Sequence, residues 1–537
     1  MADAATPRTA DASRGHRRGA HVARRLATVV SGLVLLGAVA GVTVAGEEWP
    51  PAEAELVPAR TVDVPAAPVA QVCPGPPVLA TAAAGEDLDY DEFDPDGAGT
   101  TSQVDVLTLG RDGGAPAEAR WLSSPDGDAP VELERVGDLH RLTTTDVTGP
   151  GVLAADPADD RAALAAGASV SRTDTGDLRG LFAGPCLSPG TTSWLVGGST
   201  EPGSSAQLVL VNVGDTPATV EVSAWGSTGV LDTSGAGNVL VPPHGQEVVL
   251  LEAQAPAEPR LAVRVRATGG EVSAYVQDAQ LRGLVPAGAA AVVPTVEPAT
   301  DVHIPGVQLV ESTLTDVDPA VVRILNPGDE DATLSVSLLG PDGEETVPGA
   351  EDLVVDPGSV AEVSLAGLPA GTWTVALTSD RPVTAGALLT RVGTAAEGDD
   401  EAPLDRAWAP AVGPLETGVV VVPGLGATVD TATLALGNAS DEARDVVLRP
   451  MTADGEAADD VALTVPARSG LDVDVAGLAE VDVLAVQVLV DGADGLHVAA
   501  VLDAASDDGA LIAVVPLTED PDAAQSITLS ARSPALR

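Results

Sequence analysis

The sequence predicts an all-β chain, a row of tandem antiparallel β-sandwich domains of immunoglobulin-like size following an N-terminal transmembrane helix. Three observations predict it. First, one turn recurs as Asn212-Val-Gly-Asp215, Asn326-Pro-Gly-Asp329 and Asn438-Ala-Ser-Asp441, with the asparagines 114 and 112 residues apart. A glycine follows each asparagine by 17 positions (Gly229, Gly343, Gly455), and a proline lies further on (Pro243, Pro357, Pro466). A period above about 100 residues means whole repeated domains, because solenoid repeats are only 20–50 residues long. Second, the segments after the turns alternate apolar and polar residues, as in Thr219-Val-Glu-Val-Ser-Ala-Trp225 and Thr333-Leu-Ser-Val-Ser-Leu338. That is the period of a half-buried strand. Third, aromatics make up only 2% of the chain, so valine, alanine and leucine must fill the interior. Asparagine and aspartate suit the turn because they tolerate left-handed backbone and cap their own turn.

The elements follow in order. Residues 1–25 form an arginine-rich tail, with six arginines against Asp3 and Asp11. Residues 26–46 hold no charge and are long enough to cross a bilayer as a helix. Arg14, Arg17, Arg18, Arg24 and Arg25 on one side, with Glu47 and Glu48 on the other, place the tail in the cytoplasm and the rest outside. The alternative is a cleaved signal peptide with its small-residue site near Ala45. Residues 47–70, rich in proline and alanine, read as a stalk. Residues 71–192 form a diverged first copy, since Leu178-Arg-Gly-Leu181 returns as Leu281-Arg-Gly-Leu284 and Val170-Ser171 as Val272-Ser273. Its segment Asp160–Ala166 has helical propensity, and strand is expected there because tertiary context overrides propensity. Three clear repeats cover 193–299, 300–412 and 413–520, each large enough to bury its own core, and 521–537 is a tail. The two cysteines, Cys73 and Cys186, fall in the exported part, where a disulfide is expected to tie the first copy's beginning to its end.

A net charge of −52 argues against nucleic acid, which needs a basic footprint, and against docking on anionic lipid. There is no lysine; all 27 basic residues are arginine. Walker A loops, Schiff-base lysines and Ser-x-x-Lys nucleophiles are thereby excluded. His140, His244, His303 and His497 are far apart in sequence and fit no catalytic or ligand pattern, and His244 sits in a Pro-Pro-His-Gly turn. No cofactor motif is present. Two cysteines without a neighbouring histidine make a poor zinc site. The acidic run Asp87–Asp96 gathers carboxylates but places Glu92 and Ala98 where a calcium loop needs glycine and glutamate, so a solvated loop is expected. Glu397–Glu401 reads as a linker. Trp121, Trp194, Trp225, Trp373 and Trp408 are either core residues or, for Trp194 and Trp225, a platform for sugar.

Gly176-Asp-Leu-Arg-Gly-Leu181, Cys186, Trp194-Leu-Val-Gly-Gly198 and Leu208-Val-Leu-Val-Asn212 together resemble a family of actinobacterial, membrane-anchored envelope proteins classed as a domain of unknown function. The resemblance implies an anchored, exported β-rich body and no activity. The expected role is non-catalytic: a scaffold, adhesin or partner-binding array outside the membrane, with an envelope protein or wall glycan as partner. The alternatives are a wall-polysaccharide binder, a carboxylate-dependent glycan hydrolase and a rod stiffened by calcium.

Overall fold

A computed structural model describes residues 60–62, 66–79, 100–521 and 527–529, except for 112, 234–237, 317, 396–400, 456–457 and 491–494. The tail 1–25, the apolar span 26–46, most of the stalk, the acidic run Asp87–Asp96 and most of the segment 521–537 lie outside the described residues. No helix among the described residues is long and apolar enough to cross a membrane.

The chain divides into two compact units, residues 1–64 with 526–537, and residues 65–525. In the first, Arg60–Val62 pairs antiparallel with Ile527–Leu529. The second is all-β, built of antiparallel strands with no α-helix among the described residues.

Its strands sort into four successive two-sheet groups. In the first, the sheet containing Val69–Cys73 and Gly151–Ala155 lies over the sheet containing Thr101–Leu109 and Leu164–Thr173. Leu164–Thr173 is a central strand, paired on both sides, despite its alanines. The reason is steric. It passes beneath the disulfide, and a Cβ on Gly167 would lie 2.6 Å from Cys186 Sγ and 2.7 Å from Val106. Small residues are required there, and burial outweighs their helical preference. Cys73 and Cys186 are bonded to each other. The second group faces Ser204–Asn212 and Ser273–Arg282 against Ala218–Gly226 and Ala262–Thr268. In the third, one 22-residue strand, Gly371–Val392, serves both sheets, pairing first with Ala332–Gly340 and later with Val321–Asn326 and Leu404–Pro410. The equivalent stretch of the second group is broken at Gly269-Gly270 into two strands. The fourth sets Thr431–Asn438 and Leu496–Ser506 against Arg444–Thr452 and Val483–Val490.

The groups do not keep separate cores, which corrects the expectation that each repeat buries its own. Leu107, Leu109, Leu139 and Leu164 of the first share one cluster with Val419, Val421, Val486 and Leu502 of the fourth. Ala499, Val501, Ile512 and Val514 of the fourth join the core of the third, and Trp408 of the third enters that of the second. Valine and alanine dominate the sheets, so apolar atoms occupy both sheet faces and a neighbour must cover the outer one. One late strand of each group (Gly180–Pro185, Val285–Val292, Leu404–Pro410 and Gly509–Pro516) packs at one junction, where each touches at least two of the others and the circuit closes between first and fourth. Glycine permits the approach: a Cβ on Gly180 would stand 2.8 Å from both Ala289 O and Asp405 Oδ1.

Candidate functional site

The repeat turns share one pattern of three hydrogen bonds. Asn212 is fully buried, its Nδ2 donating to Thr216 O at 2.8 Å and Val241 O at 3.2 Å, while Gly214 N–H donates to its Oδ1 at 2.9 Å. Asn326 bonds Glu330 O and Val355 O and accepts from Gly328 N–H. Asn438 bonds Glu442 O and Val465 O and accepts from Ser440 N–H. Each side chain therefore closes its own turn and ties it to a strand about 28 residues on. The left-handed backbone expected of these asparagines falls instead one residue before the facing position, on His244 (φ 50°), Gly358 (61°) and Arg468 (49°). The buried asparagine fastens the exposed turn through three hydrogen bonds, one of them to the carbonyl of a buried strand end. Asp215, Asp329 and Asp441 are exposed. Asp215 meets His244 Nε2 at 3.0 Å, and Asp441 lies 3.9 Å from Arg468. The first group carries Leu109 at the asparagine's register position, opposite Leu139 as Asn212 is opposite Gly245.

At the seams the polar residues are of another kind. Asp105 of the first group is buried and accepts from Gly424 N–H of the fourth at 3.0 Å, as well as from Thr143 Oγ1. Burial raises its pKa, against those bonds. Asp278 of the second is fully buried and accepts from Arg406 Nη2 (3.1 Å) and Trp408 Nε1 (2.9 Å) of the third. Asp405 of the third, also fully buried, accepts from Ile512 N–H of the fourth at 2.6 Å. Burial pushes its carboxyl up to about 7, only partly offset by that bond and by the charge of Arg179. Arg179 of the first is 1% exposed and donates to Leu404 O, Ser506 Oγ and Gly509 O of the third and fourth. Arg323 of the third pairs with Glu362, donates to Pro259 O and Leu261 O of the second, and lies 4.6 Å over Trp408. Every one of these groups reaches across a seam.

Trp121, Trp194, Trp225, Trp373 and Trp408 are all buried. Trp194 and Trp225 do meet, with ring centroids 5.4 Å apart, but at the seam with Leu325 and Val360, and Arg264 covers both. The open sugar platform that these two tryptophans were candidates for is not formed. His303 and His497, far apart in sequence, stack at 4.2 Å between the third and fourth groups. His497 Nδ1 donates to the Val412 and Gly413 carbonyls at 3.1 Å, which leaves Nε2 as the bare nitrogen. Burial lowers both, His303 to about 4 and His497 to about 3, the latter also through its stacked partner. No group of histidine, cysteine and carboxylate residues suited to a metal occurs among the described residues. Cavities open at the seams, one lined by Trp194, Arg264, Asn326, Asp329 and Arg381, another between the first and fourth groups.

Sequence reasoning marked the asparagine turns, the disulfide and the tryptophans. It missed Asp105, Asp278, Asp405 and Arg323, because an acidic residue among 79 carries no mark of burial. Arg179 was visible only as part of the Leu-Arg-Gly-Leu echo.

The family of unknown function DUF5719 matches residues 142–476, more than half of the chain, and the chain belongs to that family. The match spans parts of all four sheet groups. No curated protein matches the chain. Among solved structures, the chain is similar to a biofilm associated protein BSP domain at 10% identity, covering 88% of this chain and 100% of that one with a TM-score of 0.14. A likeness at that level carries no argument about fold or role.

Proposed function

We propose that the protein is a non-catalytic, extracytoplasmic component of the cell envelope, a multi-sandwich acidic body that holds a partner protein. The observation that supports this reading is how the buried polar groups are used. Asp105, Asp278 and Asp405, the side chains best placed by burial to act as acids or bases, are each bonded to donors across a seam. They join one sandwich to the next. The disulfide fits an oxidising compartment, and the apolar span 26–46 fits an anchor that keeps the body at the membrane, with secretion after cleavage near Ala45 as the other route. The four-domain division at 71–192, 193–299, 300–412 and 413–520 belongs to the same proposal. The polysaccharide reading loses its aromatic platform, since Trp194 and Trp225 are 7% and 6% exposed.

Cross-linking of the full chain in intact cells, with mass spectrometry of the linked peptides, tests this. One reproducible envelope protein linked to surface residues of the 65–525 body supports the proposal. Wall glycan recovered without a protein overturns it.

A further inference from the structure

The cavity between the first and fourth groups has a volume of about 480 Å³. Its apolar lining is Leu109 and Leu139 from the first group with Pro450 and Met451 from the fourth. Gln487 also lines it. This side chain lies on the strand Val483–Val490, opposite Arg449 and on the face turned away from the fourth group's own core. It is 7% exposed, and its amide makes no hydrogen bond to any described residue. The amide opens onto the cavity, where a ligand can supply its hydrogen bonds. At the mouth, Arg449 is held by Asp460 through two bonds of 2.8 and 2.9 Å. That leaves Asp138 from the first group and Asp459 from the fourth, both exposed and neither in an ion pair with a described residue.

We propose that this cavity receives a basic side chain, lysine or arginine, presented by the partner protein. The aliphatic stem lies along Leu109, Leu139 and Met451, the Gln487 amide bonds the incoming polar groups, and the cationic head rests between Asp138 and Asp459. The chemistry is complementary at two scales. Locally, an apolar trough ends in carboxylates without counter-charges. Globally, a chain of net charge −52 steers basic partners toward itself. No lysine of the chain itself is available to fill the site. Because the two carboxylates come from different sandwiches, the occupant bridges the seam. This inference rests on the partner-binding reading and specifies what the partner presents.

Met451 offers a direct probe, being one of only two methionines in the chain. The full chain labelled with 13C at the methionine methyls is titrated with a capped Gly-Lys-Gly-Lys peptide, and with a Gly-Glu-Gly-Glu peptide as control. The Met451 resonance, assigned through Met451→Leu, is expected to shift with the lysine peptide alone. Asp138→Asn combined with Asp459→Asn, both at exposed positions, is expected to weaken the response about tenfold. Gln487→Leu, which keeps the volume and removes the amide, is expected to weaken it as well. The inference is overturned by an unmoved methyl, by an equal shift with the glutamate peptide, or by a shift the double variant leaves intact. The two levels of the proposal separate cleanly. A partner cross-linked elsewhere on the body, with Met451 unmoved, removes the cavity and keeps partner binding. A titrating Met451 with only glycan recovered from cells does the reverse.

Discussion

The asparagines of the repeat turns and the polar residues of the seams are both buried in a valine-rich body, and they are used on opposite principles. At the turns, Asn212, Asn326 and Asn438 make the same bonds three times, each within its own sandwich. At the seams, Asp105, Asp278, Asp405, Arg179 and Arg323 each make a different set, and each set crosses to another sandwich. The turn solves a problem that three copies share, namely how to fasten an exposed turn to a buried strand end. The seam solves the problem of making four similar sandwiches adhere in one order. Repetition serves the fold of each copy, and divergence at the seams fixes their arrangement, as asymmetric polar contacts do in other assemblies.

That contrast can be broken at several points. The largest effect is expected from Asp278→Ala, which strands Arg406 and the Trp408 N–H in the interior and should cost about 3–5 kcal/mol in denaturant unfolding. Removing the disulfide with Cys73→Ser and Cys186→Ser should cost about 2–5 kcal/mol, since it frees a loop spanning 113 residues. Asn326→Ala should cost about 1–3 kcal/mol. Asn212→Ala and Asn438→Ala should fall in the same range, because three bonds are common to all of them; widely unequal losses would mean that the turns are not equivalent.

The stacked histidines sharpen the contrast through pH. Their folded pKa values lie below the ordinary 6.5, near 4 and 3, so the unfolded chain takes up protons first as pH falls. Stability is unaffected above pH 6.5 and is lost progressively below it, down to about 4 for His303 and about 3 for His497. Asp405 works in the other direction. With a folded pKa of about 7 against 3.8, it weakens the fold as pH rises from about 4 to 7. Chemical denaturation across pH 4–7 of the wild type and of a His303→Gln, His497→Gln variant should show the acid-side loss reduced in the variant. The smallest effect belongs to Asp215→Ala, Asp329→Ala and Asp441→Ala, exposed residues that should change stability by less than about 0.5 kcal/mol.

How much was legible follows the same division. The turns could be read because they recur: three copies of Asn-x-x-Asp with glycine at a constant distance are self-evident in the chain. The glycines do mark real geometry, Gly229 and Gly343 closing tight hairpins at φ 128° and 110°. The asparagine's position was legible and its reason was not, because a side chain that donates to a carbonyl 27–29 residues away leaves no local pattern. The strand at Leu164–Thr173 shows the same limit from the other side. Its alanines favour helix, and only the nearby disulfide and the pairing on both flanks explain why it is extended. The seams were invisible for a stronger reason. Asp278 and Trp408 are 130 residues apart, His303 and His497 nearly 200, and no period links them because each contact occurs once. Nor did the sequence show that the sandwiches share cores, since an apolar residue on an outer sheet face looks the same whether water or a neighbour covers it.

The most direct test of the claim that the seams hold four sandwiches together as one body is differential scanning calorimetry of the full chain, compared with the Asp278→Ala variant. The account predicts a single cooperative transition for residues 65–525 that Asp278→Ala shifts down as a whole. Separate transitions in the wild type, with the variant moving only one of them, would mean independent domains on a string and would contradict it.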